Sequence, residues 1–199
     1  MEIKFADSFG KSIKRLIRHN TWWYKTYELF RYDLPRFFKN IWLFRKGLWN
    51  HYWFDHHGTL KLLEIGLTDI SNNVEKYGTE VDEGRVKKVF AIRRAVQLIQ
   101  NYNEDRYTEM AEAELGEMIL HPWEFEPVPD RPGSTRLIDK DTPEEKEHNR
   151  KVINRALQIQ KQEWDELFQI LKGQDSSKFD KDIDFYEQFD GSGLNTWWD

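Results

Sequence analysis

Apolar residues along this chain recur mostly three and four positions apart, the period of an amphipathic helix. Asp33 can cap a first clear helix, with Pro35 in the opening turn where a missing N–H costs nothing. Phe37, Ile41, Phe44 and Leu48 then repeat at helical spacing, and Phe38, Trp42 and Trp49 widen the stripe. The expected helix runs from about Leu34 to Trp53, slightly weakened by Gly47. Gly58 is read as a break and Thr59 as the cap of a second helix. In it Leu60, Leu63, Leu67, Ile70, Val74 and Tyr77 form an a/d seam that Gly78 ends. Asp82 can cap a third helix with Val86, Val89, Ile92, Val96 and Ile99 as its buried stripe. A fourth starts near Asn103 and uses Tyr107, Met110, Leu115 and Met118. Short connections favour antiparallel neighbours.

Between His121 and Pro143 the pattern changes. Pro122, Pro127, Pro129, Pro132 and Pro143 fall here, and no helix persists through them. The expectation is an extended arm packed through Trp123 and Phe125. Thr142-Pro143-Glu144-Glu145 is the strongest helix start in the chain: Thr142 caps, Pro143 takes the first position and Glu145 closes a capping box. The helix should reach Lys172 and stop at Gly173, with Ile153, Leu157, Trp164, Leu167, Phe168 and Leu171 as its apolar line. The closing DFYEQFDGSGLNTWWD is polar with embedded rings, and Gly191 and Gly193 mark a turn. Phe185, Tyr186, Phe189, Trp197 and Trp198 should dock, on the same chain or on a neighbour, because free rings would sit in water.

The resulting expectation is an all-α fold. It is a bundle of five or six helices with a Pro-rich extended arm and an aromatic C-terminal tail. Segments 1–120, 121–142, 143–173 and 174–199 form one domain overall. Helix 59–77 and the long C-terminal helix should mediate self-association, giving a dimer or higher oligomer.

Composition narrows the function classes. Cysteine is absent from the 199 residues, which removes disulfide scaffolds, thiolate zinc sites and thiol catalysis. No run of apolar residues is long enough to span a bilayer, and MEIKFADSFGKSIKRLIRH has no apolar secretory core, so no membrane partner and a cytoplasmic location are expected. Charge is uneven: residues 1–57 carry +6, residues 58–100 +1 and residues 101–199 −12. That asymmetry suits either an anionic partner for the basic end or two ends that face each other within a fold or dimer.

Three groupings could carry chemistry. His51, Asp55, His56 and His57 combine imidazoles and a carboxylate, a set suited to zinc, manganese or iron; a polar helix end that needs no metal is the competing reading. Glu64, Asp69 and Glu75 in one helix and Glu109, Glu112, Glu114 and Glu117 in another could be magnesium carboxylates, or solvated acidic faces. Arg85, Lys87, Lys88, Arg93 and Arg94 decorate the third helix, where guanidinium groups fork onto phosphate. A ligand site made of Arg85, Lys88, Arg93 and Arg94, with Trp49 or Trp53 stacking on a base, follows; Arg93 could instead be salt-bridged to an acid. Phosphate loops, Ser-His-Asp arrangements and DNA-readout motifs are missing, so neither a cofactor nor sequence-specific nucleic-acid binding is expected.

The stretches FFKNIWLFRKGLWNHYWFD, RVKKVFAIRRAVQLIQNYNEDRYTEMAEAELGEM and the terminal GSGLNTWWD together resemble small uncharacterised proteins of tailed bacteriophages. The resemblance spans half to two-thirds of the chain and brings no catalytic residues. It implies the cytoplasm of an infected bacterium and an accessory role, including sequestration of a nucleotide signal used in host defence. The leading expectation is a non-enzymatic binding protein for a nucleotide-like anion such as a cyclic oligonucleotide. A protein-interaction or structural phage component, contacting a host or phage protein, is the second. A metal-dependent phosphohydrolase is the third.

Overall fold

The computed structural model describes residues 22–52, 55–79, 81–131 and 133–197. It divides the chain into two units, Met1–Gly58 and Thr59–Asp199. In the first, α1 (Trp22–Glu28) runs through a π-helical turn (Leu29–Asp33) into α2 (Leu34–Trp49). The backbone N–H of Leu34 donates to the Leu29 carbonyl, five residues back. This wider turn lies just before Pro35, whose ring and missing N–H disturb the regular ladder. Asp33 therefore does not start a new helix: its backbone is already helical and its carboxylate pairs with Arg36 at 2.7 Å. Among the described residues of this helical rod only Gly47 is buried.

The next helix, α3 (His56–Tyr77), begins three residues before Thr59. Asp55 provides the start, its carboxylate accepting from the His57 backbone N–H at 2.9 Å. Gly58 sits inside the helix. The expected seam largely holds: Leu67 and Val74 are buried and Leu60, Leu63 and Ile70 pack beside them, whereas Tyr77 is exposed.

α4 (Asp82–Asn103) is the central helix of the second unit. Ala91, Ile92, Ala95, Leu98 and Ile99 join Leu67, Leu167 and Trp197 in the main core. The chain turns through Asp105, at φ 49°, into α5 (Tyr107–Leu115), and Gly116 ends that helix at φ 97°. α6 (Pro143–Lys172) is 30 residues long, about 45 Å, and spans both cores. Its capping box forms as expected, with Thr142 and Glu145 exchanging backbone and side-chain bonds. A second core packs Tyr107 and Ala111 of α5 against Val152, Ala156 and Ile159 of α6. Asn101 and Glu163 bridge the two cores through bonds of 3.0 and 3.1 Å. Burial, with Glu163 close by, pushes the Tyr107 hydroxyl up to about 12.

The buried line of α6 is thus Val152, Ala156, Ile159 and Leu167, while Ile153, Leu157 and Phe168 are exposed. Of the line expected from the sequence, Leu167 is buried and Trp164 and Leu171 pack against the main core, whereas nearer the N-terminus Val152, Ala156 and Ile159 face inward in place of Ile153 and Leu157. Close helix contact selects small residues, and Ala111 and Ala156 supply them on facing helices.

Residues 121–142 hold a hairpin rather than a plain arm. β1 (Glu124–Pro127) pairs antiparallel with β2 (Thr135–Ile138), placing Phe125 opposite Leu137. Trp123 and Phe125 are exposed and anchor nothing in the core.

The tail docks on its own chain. A short α7 (Phe185–Gln188) leads to Phe189, which is buried, and Trp197 is buried in the main core at 3% exposure. The Trp197 indole N–H donates to the Gly191 carbonyl at 2.7 Å, and the Gly193 N–H donates to the Ile170 carbonyl at 2.8 Å. Gly191, at φ +86°, lies so close to α4 that a Cβ there would sit 2.2 Å from the Lys87 carbonyl. No described helix is long and apolar enough to cross a membrane.

Candidate functional site

The opening turns of α4 build the most suggestive surface. Asp82 and Glu83 occupy the first turn, where negative charge offsets the helix dipole. Arg85 folds back, pairing with Asp82 and donating to the Gly78 carbonyl at 3.3 Å. Val86, Val89, Phe90 and Arg93 follow at spacings of three and four, so they share one face. Across from them, Glu75 of α3 accepts from the Arg93 guanidinium at 2.6 Å. These six residues line a concavity of about 290 Å³. Its floor is apolar, and the Phe90 ring stands 73% exposed. A flat ring and two guanidinium groups lining one concavity suit a planar anionic ligand: the ring stacks while Arg forks onto oxyanions.

Arg85 and Arg93, expected as ligand residues, line this groove. Arg94 points elsewhere: it grips Glu166 of α6 with two bonds of 2.7 and 2.8 Å. That contact raises the Arg94 guanidinium above its ordinary value and lowers the Glu166 carboxyl. Lys88 is buried, on the side of α4 where the tail packs: a Cβ at Gly191 would meet its backbone nitrogen at 2.6 Å. Trp49 belongs to the first unit and is 88% exposed, and Trp53 lies outside the described residues. Phe90 was missed by the sequence reading, which placed Val86 in the core. The pattern 86-90-93, running beside the buried 89-92-96 line, was the available signal.

Asp55, His56 and His57 bring one carboxylate and two imidazoles within 4.8 Å of one another. Such a donor set can hold zinc. Asp55 also caps α3, the role a metal-free helix end requires, although the end is an N-terminus rather than the C-terminus of the helix before it. His51 is not in this group; its Nδ1 would lie 2.8 Å from a Cβ placed on Gly58. A comparable group, His121, Asp141 and Glu145, sits at the start of α6, where Glu145 accepts from the Thr142 backbone N–H and contacts His121 at 3.3 Å.

Five of the acidic residues weighed as magnesium ligands, Glu64, Asp69, Glu75, Glu112 and Glu114, have individual partners. Glu64 is buried between Lys61, at 2.8 Å, and Gln100, at 3.1 Å. Glu112 accepts from the Met118 backbone N–H at 3.0 Å, and Glu114 pairs with Arg155 at 2.6 Å. Glu109 does not join either metal-type group among the described residues. No protein-family model, no curated protein and no solved structure matches the chain.

Proposed function

We propose that this is a non-enzymatic binding protein whose ligand site is the groove between α3 and α4. The observation that carries the reading is the exposed Phe90 ring lining one concavity with Arg85 and Arg93 over an apolar floor. The ligand class is a small, planar, nucleotide-like anion. Glu75 and Asp82 hold the two guanidinium groups in place before binding, and a phosphate would compete with those carboxylates for their N–H donors. Stacking moves from the tryptophans to Phe90. Sequestering a nucleotide signal against host defence is the role that the resemblance to tailed-phage proteins implies.

Calorimetry with a panel of cyclic di- and trinucleotides tests this. Binding is expected for at least one member, weakened about tenfold or more in Phe90→Ala and in Arg93→Ala. An absence of heat across the panel removes the proposal. The second reading is a protein-interaction component that acts through exposed aromatics, and the rings of α1 and α2 favour it. Pull-down with a Trp42→Ala/Trp49→Ala control separates the two.

A further inference from the structure

The α1–α2 rod is unlike the helices of the second unit. Phe37, Phe38, Ile41, Trp42, Leu48 and Trp49 are all exposed. On a helical projection of α2 they fall within one arc of about 140°. Lys39 and Lys46 border that arc, three and four residues from Trp42, and Arg36 lies opposite it. Arg45 is the one charge within the apolar arc, and its guanidinium lies flat over the Trp42 ring, 3.8 Å from the centroid. No Asp or Glu occurs between Leu34 and Trp49. At the other end, Trp22, Trp23 and Tyr27 are exposed as well. The rod from Trp22 to Trp49 is about 42 Å long.

We propose that this rod is an interfacial helix that lies flat on an anionic lipid surface. Its rings enter the headgroup level, and Lys39 and Lys46 at the border of the ring face reach to the lipid charge. Three features select this occupant. First, Trp and Tyr rings favour the boundary between water and hydrocarbon, and Lys and Arg reach from it toward headgroups. Second, only Arg45 lies among the rings; Lys39 and Lys46 border the ring face and Arg36 lies opposite it. A single-stranded nucleic acid needs both on one face, where bases stack as phosphates are neutralised. Third, α2 carries four cations and no acid, so pairing with the same helix of a second copy sets like charges together. The rod rests on the membrane rather than crossing it, consistent with the lack of any described helix long and apolar enough to span.

Vesicle flotation of the full-length protein tests the proposal, using phosphatidylcholine alone and phosphatidylcholine with one-third phosphatidylglycerol. Flotation with the anionic vesicles is expected, together with a blue shift of tryptophan emission, and much weaker flotation with the neutral ones. Trp42→Ser/Trp49→Ser should weaken binding at least about tenfold, and Lys39→Glu/Lys46→Glu by a similar factor. Both pairs are exposed, so the circular dichroism spectrum should stay unchanged and serves as the folding control. Failure to float with anionic vesicles at low salt overturns the proposal. So does a solution dimer that Trp42→Ser/Trp49→Ser dissociates, or oligo-dT that binds and strips the protein from vesicles.

Discussion

Helices α2 and α4 use their apolar residues in opposite ways. α2 carries two tryptophans, three phenylalanines and four aliphatic residues, yet buries only Gly47. α4 has one phenylalanine and no tryptophan, yet nine of its residues are buried. The difference lies in small residues and partners. Ala91 and Ala95 let neighbours approach α4 closely, and Leu67, Leu167 and Trp197 arrive from three separate segments. Bulk alone does not make a core; a stripe mixing small and branched residues, met by complementary segments, does.

Truncations should separate the two helices most sharply. Trp197→Ala removes a buried ring and its hydrogen bond to Gly191, and should cost about 3–5 kcal/mol in urea unfolding. A loss below about 1 kcal/mol would mean the tail is not part of the core. Ile92→Ala, fully buried in α4, should cost about 2–5 kcal/mol. Gly191→Ala should follow at about 1–3 kcal/mol, since the new methyl meets the Lys87 carbonyl and strains a left-handed φ. Wild-type melting temperature in that variant would show that the tail can lift away without penalty.

The Arg94–Glu166 pair gives a pH-resolved effect. The Arg94 guanidinium holds the Glu166 carboxyl below its ordinary value of 4.5. The pair's stabilisation is therefore fully present above pH 4.5 and is lost as pH falls through the lowered value. Arg94→Met should flatten that acid limb in stability measured from pH 6 to 3; an unchanged limb would assign the acid sensitivity to other carboxylates. The smallest effect is expected on the rod. Trp42→Ala should alter unfolding stability by no more than about 0.5 kcal/mol, and a loss as large as that of Ile92→Ala would erase the contrast between the helices.

Local chemistry made much of the fold legible. The capping box at Thr142 and the stop at Gly173 were readable, because each depends on residues adjacent in sequence, whereas α4 takes Val81 rather than Asp82 as its N-cap and Asp82 makes no cap bond. The α2 stripe was readable as a helix, but its exposure was not, since period alone does not reveal whether a partner exists. The ligand site was half legible. Basic residues at 85 and 93 could be counted, but only α3 brought Glu75 to Arg93, and only α6 brought Glu166 to Arg94.

By itself, then, the sequence determined that this chain is helical, where its longest helix starts and stops, and that cysteine chemistry is absent. Those properties rest on short-range hydrogen bonds, backbone propensities and composition. Tertiary structure decided the rest: that α6 turns its alanine line inward, that the Gly191–Gly193 turn seats Trp197 between helices, and which cations remain at a groove. Each of these depends on how closely segments distant in sequence can approach, which is set by the shape and charge of both surfaces together.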